Sequence, residues 1–233
     1  MIQPLRFSLQ RRTNRESKGP VRKFVALVGV CALLLSACGK PSQKYAASKS
    51  EGAYFAVPQN WHEVTMKELN ALEAKSTVDG ASDKLSLVKW QEAYSPDSKI
   101  GPMEVFSIRA TSEPLVFARV RSLFPDEINS MSYNSLRDIV QPVTEWVSNP
   151  TADTPIYKII DDFEVVQKGA RGVRTIFSFI HNGVSQTIDQ TALMSNNGQK
   201  IYLLVMRCTS KCYQKNSKTL SKISKSFTVR GEK

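Results

Sequence analysis

The sequence predicts one α+β domain, an antiparallel β-sheet flanked by α-helices (an α/β/α sandwich), over residues 52–229. Two hairpin signals and one doubly apolar strand carry that prediction. Asn182-Gly183 and Asn196-Asn197-Gly198 each stand between strand-like runs, and Asn-Gly accepts the positive φ that a tight hairpin turn requires. Residues 201–206 (IYLLVM) are apolar on both alternating faces. An antiparallel strand of that kind needs cover on both sides of its sheet, and amphipathic segments elsewhere in the chain can supply it.

Element by element, residues 54–58 (YFAVP) predict a short strand and Pro58 to Trp61 the turn after it. Thr65 caps a helix running to about Ala74, with Glu68 three residues on as its capping-box partner. Residues 76–83 read as a loop, and residues 84–92, 103–110 and 115–121 as strands. Residues 132–147 carry Leu136, Ile139, Val140, Val143 and Val147 at helical spacing, with Pro142 breaking the helix in two or kinking it. After a loop over 148–155, strands follow at 157–168, 172–181, 184–194 and 199–208. A last helix covers about 211–225, and residues 226–229 close the domain.

The N-terminus supplies the address. Arg22-Lys23 precede the fourteen apolar residues 24–37 (FVALVGVCALLLSA), then Cys38 and Gly39. That order of basic, apolar and small residues is a signal peptide. Its apolar run rises about 21 Å as a helix, short of the roughly 30 Å hydrocarbon core, which argues against a permanent span. Leu35-Ser36-Ala37-Cys38 resembles the lipobox of bacterial lipoproteins, in which the cysteine sulfur takes a diacylglycerol and cleavage falls before it. Cys31 competes for that role, but Val30 before it is bulky and branched. The expected organisation is a signal peptide over 1–37, a lipidated Cys38 with a flexible tether over 38–51, and the domain. Val21 competes with Met1 as the start of translation. The implied address is the extracytoplasmic face of a membrane, the outer membrane in a Gram-negative cell, since Gly39 is not the aspartate that retains lipoproteins at an inner one.

Charge excludes one class of partner. The chain is +11, but residues 1–37 hold seven of its 32 Lys and Arg and one of its 21 acids. The remainder, 25 bases against 20 acids, is about +5. So small an excess does not predict nucleic-acid binding, which needs a concentrated set of phosphate contacts.

Cys208 and Cys212 remain. In an exported domain a pair most simply forms a disulfide. Four residues of extended strand would put them about 13 Å apart, whereas a bridge needs Cα atoms roughly 4.4–6.8 Å apart. The chain is therefore expected to turn between them. Free thiols or redox chemistry are the alternatives, although the spacing is not that of a CxxC pair.

Two stretches resemble the Mog/PsbP-like superfamily. Tyr54-Phe55-Ala56-Val57-Pro58-Gln59-Asn60-Trp61 is similar to its hydrophobic-x-x-P-x-x-W opening. Gly198-Gln199-Lys200-Ile201-Tyr202-Leu203-Leu204, a helix, and Ile223-Ser224-Lys225-Ser226-Phe227 are similar to its ending. The resemblance, of the LpqN type among bacterial lipoproteins, implies an antiparallel sheet flanked by helices. It also implies protein-binding members without a shared catalytic centre. The matching residues are fold determinants, Trp61 and Phe227 as core, and no functional role transfers through them.

Candidate chemistry is sparse. No nucleophile elbow, zinc-protease helix, P-loop or dinucleotide fingerprint occurs. His62 and His181 are the two histidines, beside a core Trp and a hairpin turn. Asp161, Asp162 and Glu164 are acidic neighbours, but adjacent strand residues point to opposite faces, so a cation site is the weaker reading. Neither an enzyme nor a cofactor is expected. The last helix places Lys211, Lys215, Lys218, Lys222 and Lys225 at 4-3-4-3 spacing on one face, with Tyr213, Leu220 and Ile223 roughly opposite. That face is a candidate contact for lipid headgroups, an anionic polymer or an acidic protein, beside the simpler reading of a solvated surface. The expected function is a membrane-anchored lipoprotein whose domain binds another envelope component without catalysis. The alternative is a carrier or sensor that takes a lipid or small molecule between sheet and helices.

Overall fold

The computed structural model describes residues 41–231. In chain order the elements are β1 (Gln43–Ser48), β2 (Ala53–Pro58), β3 (His62–Val64), α1 (Met66–Glu73), α2 (Ala81–Ser86), β4 (Val88–Ser95), α3 (Pro102–Phe106), β5 (Leu115–Ser122), α4 (Pro125–Ser130), α5 (Tyr133–Arg137) and α6 (Val143–Ser148). They continue with β6 (Tyr157–Val166), β7 (Ala170–His181), β8 (Val184–Ser195), β9 (Lys200–Thr209), α7 (Ser210–Ser226) and β10 (Thr228–Val229). Cys38 and the signal segment lie outside the described residues.

Strands β3-β4-β5-β9-β8-β7-β6 form one antiparallel sheet in that order, and β1-β2-β10 a second, smaller one. The β7–β8 hairpin closes through Asn182 (φ 49°) and Gly183 (φ 75°), the two positive angles its turn needs. Central β9 buries both faces. Tyr202, Leu204 and Met206 meet Leu220, Ile223 and Phe227 of the α7 side, joined by Phe55, Val57 and Trp61. Ile201, Leu203 and Val205 meet Leu136, Val143 and Trp146 of α5 and α6 across the other face. The architecture is the expected α+β one, an antiparallel sheet flanked by helices. Trp61 and Phe227 are buried.

Helix α7 is fastened by a buried polar knot. Asp189 is fully buried, takes two hydrogen bonds from Arg174 at 2.8 and 2.7 Å, and accepts a third from the Tyr213 hydroxyl at 2.6 Å. Desolvation and then the Asp189 charge push the Tyr213 pKa far up, so Tyr213 stays a donor at any working pH.

Five elements differ from the sequence reading, one of them β3, which occupies residues 62–64 left unassigned there. Residues 103–110, expected as a strand, begin as helix α3. Pro102 sits at its first turn, and the Glu104 carboxylate accepts from the Gly101 N–H at 3.0 Å, a local cap that overrides the alternating Val105–Ile108 pattern. Within 84–92, the first residues belong to α2, which Gly80 (φ 70°) starts, and strand begins only at Val88. Residues 125–130, not assigned before, form α4. Residues 43–48, counted in the tether, are strand β1, paired with β2 along its length. Small residues suggested a linker there, but Ala46 and Ser48 alternate inward, as a half-buried edge requires.

Candidate ligand cleft

The face of the large sheet away from α7 is only partly covered, and a cavity of about 510 Å³ remains between sheet and helices. Its floor comes from alternate positions of three neighbouring strands: Phe117, Arg119 and Arg121 of β5; Ile201, Leu203, Val205 and Arg207 of β9; and Gln186 and Ile188 of β8. The register sets Leu115 against Arg207, Phe117 against Val205, and Arg119 against Leu203. The roof is Phe106, the last residue of α3, and Ile108 beyond it, with Ile139 and Val140 between α5 and α6. A second hollow of about 290 Å³ shares Ile108 and Gln141 with the first and continues past Trp146, Phe179 and His181.

Cations line this apolar floor in three different settings. Arg121 meets Glu127 through two bonds of 2.7 and 2.8 Å. Arg119 reaches Glu73 at 2.7 Å and Gln91 at 2.9 Å, and lies over Phe106 and Phe117, 5.4 and 5.3 Å from their ring centres. Those rings meet edge-on at 5.8 Å. Among the described residues Arg207 meets no carboxylate. Only 6% exposed, it donates to the carbonyls of Arg109 at 2.7 Å and Glu104 at 2.5 Å. Burial pushes its pKa down to about 10. Beside it Gln186, 1% exposed, donates through Nε2 to Ile108 O at 3.1 Å, while its Oε1 is buried without a partner.

This is a binding surface in chemical terms: apolar walls, a few converging polar groups, and an excess of positive charge. A buried guanidinium balanced only by carbonyl dipoles is costly, and an anion beside it would lower that cost. An unpartnered amide oxygen offers an acceptor to a hydroxyl or N–H. The first cavity holds none of the candidate site residues read from the sequence. Arg207 had a readable signal, a charge ending an otherwise apolar strand. Phe117, Arg119 and Arg121 alternate in β5, a strand the sequence predicted without marking either of its faces as a cavity floor.

The sequence candidates lie elsewhere. Cys208 and Cys212 form a disulfide with Cα atoms 5.9 Å apart, at the corner between β9 and α7. Lys211, Lys215, Lys218, Lys222 and Lys225 are all exposed on α7, and none joins an ion pair among the described residues. The acidic neighbours of β6 are dispersed: Asp162 pairs with Arg137 at 3.0 Å, and Glu164 accepts from Tyr133. His62 is exposed, and His181 contacts Asn182 at 3.3 Å.

No family model and no curated protein matches the chain. Among solved structures it is similar to the cyanobacterial PsbP of Synechocystis sp. PCC 6803, with a TM-score of 0.46 at 11% identity over 83% of this chain and 95% of that one. It is also similar to LpqN of Mycobacterium tuberculosis, described as involved in cell envelope biogenesis, with 0.44 at 10% over 81% and 91%. A third is the Saccharomyces cerevisiae Ran-binding protein Mog1p, with 0.43 at 10% over 81% and 96%. The likeness is recorded at the level of chain path, and the cleft is read from its own residues.

Proposed function

We propose that the chain is an envelope lipoprotein, lipidated at Cys38, whose domain is a non-catalytic binding module taking an amphipathic small molecule into the cleft between sheet and helices. The cavity of about 510 Å³ with Arg207 buried and uncompensated at its wall supports this carrier or sensor reading over a flat docking surface. Its volume falls in the range of small-molecule sites. An acyl chain suits Ile188, Leu203 and Val205, and an acidic head suits Arg207. Titrating the native chain with dodecanoate tests this. Saturable binding that Leu203→Trp blocks by filling the floor is expected, whereas binding unchanged by Leu203→Trp, or none at all, refutes it.

A protein partner is the second reading, favoured by the free edge of β6. Among the described strands that ten-residue strand pairs with β7 alone, and it exposes Ile160, Phe163 and Val166, a template for another strand. Crosslinking in intact cells should recover a partner through this edge, and loss of the crosslink on Ile160→Lys is the expected outcome. The lysine face of α7 stands as the contact for an anionic envelope component, checked by loss of that binding in a Lys218→Glu, Lys222→Glu variant.

A further inference from the structure

One end of the large sheet gathers an apolar rim. Antiparallel pairing brings His62 to Ser95, Leu115 to Arg207, Tyr157 to Phe179 and His181 to Val184, so the loops beyond these residues share that end. They expose Met103 (66%), Phe106 (38%), Ile108 (44%), Ile156 (75%), Ile180 (40%) and Val184 (45%). Large apolar side chains clustered in separate loops at one end mark a contact surface rather than scattered exposure.

The chain enters the fold at the same end. The Gln59 N–H donates to Ser42 O at 3.0 Å, and Lys44 Nζ donates to Trp61 O at 2.7 Å, next to His62. Three residues, Gly39, Lys40 and Pro41, separate Ser42 from Cys38, and the four Cα steps reach at most about 14 Å. With β1 folded, the tether is far shorter than the fourteen residues its composition suggested. A lipid on Cys38 would hold this end of the domain at the membrane.

We propose that this end of the sheet docks on the lipid bilayer, its apolar loop residues inserted among the headgroups. The proposal rests on lipidation of Cys38 and is independent of what the cleft binds. Charge contributes little, because Lys44, Lys99, Arg109 and Lys211 at this end are matched by Asp97, Glu104, Glu113 and Asp153. Docking is therefore driven by apolar burial and is insensitive to salt, unlike docking through the lysine face, which screening would weaken. Helix α7 starts at this end and runs back along the sheet, so Lys215 to Lys225 point away from the bilayer and stay open to a soluble or polymeric anion.

The test uses the mature lipidated chain in phosphatidylethanolamine–phosphatidylglycerol vesicles, with one environment-sensitive fluorophore on a new cysteine. Labels at Ile156→Cys and Ile180→Cys should shift to the blue and be quenched by spin-labelled lipid, in low and high salt alike. Labels at Ile128→Cys and Val166→Cys, at the opposite end, should not respond. Equal response at both ends, no response at either, or a salt-sensitive response confined to Ser217→Cys beside the lysines would overturn the docking geometry while leaving the anchor intact. A purified chain whose mass lacks the lipid would overturn the anchoring reading and this geometry with it.

Discussion

Arg207→Gln isolates the feature on which the ligand chemistry turns. The Arg207 guanidinium is buried, bonded among the described residues to carbonyls, and desolvation pushes its pKa down from the ordinary guanidinium value to about 10. That fall corresponds to about 3 kcal/mol of hydration lost by the charged form. Because the folded value lies below the unfolded one, this cost is present at every pH below about 10 and fades only as the pH rises from there towards the unfolded guanidinium value. A carboxylate entering the cleft recovers part of it and gives up its own hydration, leaving about 1.5 kcal/mol, or roughly tenfold in affinity. Dodecanoate should thus bind about tenfold more tightly than its methyl ester at neutral pH, and the ratio should fall to near one in Arg207→Gln. Gln retains a donor for one carbonyl, and thermal melting checks that the loop after α3 stays in place. Calorimetric titration of acid and ester against both proteins gives the four constants. Equal affinities of acid and ester for the native chain would refute the reasoning, as would a preference that survives the substitution.

Three further outcomes follow from the interactions that fasten the fold. Replacing Cys208 and Cys212 together by Ser should lower stability by about 2 kcal/mol, the chain-entropy value for so short a loop, seen as a lower denaturant midpoint with the cleft still binding. Asp189→Asn leaves Arg174 half-buried without its carboxylate and should cost about 3 kcal/mol, with amide exchange fastest in α7. The Arg121 guanidinium and the Phe124 N–H hold the Glu127 carboxyl below its usual range. The stability this gives is present above the unfolded carboxylate value and is lost as pH falls through the folded one. Glu127→Gln should therefore flatten the acid limb of the melting profile by no more than about 1 kcal/mol, the size of a partly exposed pair.

The hairpins were legible because Asn182-Gly183 is a chemical requirement of the turn and survives any tertiary context. Strand β9 was legible for a related reason, since six consecutive apolar residues leave no face for water. Helix α1 was readable from Thr65 and Glu68, whose capping box forms as expected. Residues 103–110 misled because a five-residue helix is too short for its period to outweigh an alternating pattern, and only Pro102 and Glu104 marked it. Residues 43–48 misled because Ala-Ala-Ser has linker composition, while burial of alternate small residues depends on β2 lying beside them. Of the cleft, only the charge that Arg207 sets at the end of an apolar strand was legible, and its lining was not. It is defined by what fails to cover Leu203 and Val205, and no local pattern encodes an absence of cover.

That absence nevertheless has a cause in the chain. The sheet face under α7 is sealed by one uninterrupted helix of 17 residues, long enough to lay Leu220 and Ile223 across several strands. Opposite, the cover comes from α3, α5 and α6, of five, five and six residues. Pro102 stands at the start of α3, and Pro142 separates α5 from α6, at positions where its ring fixes φ and removes a donor. Helices of one and a half turns bury too little side chain to span β5, β9 and β8. Ile139 and Val140, in the break between two of them, therefore roof a cavity instead of filling it. A continuous helix through residues 132–147 would have packed Ile139 and Val140 onto Leu203 and closed the face, as Leu220 and Ile223 close the other. Pro142, which interrupts the helical pattern in the sequence, thus helps to keep the cleft open, and the asymmetry between the two faces follows from how short the helices are on this one.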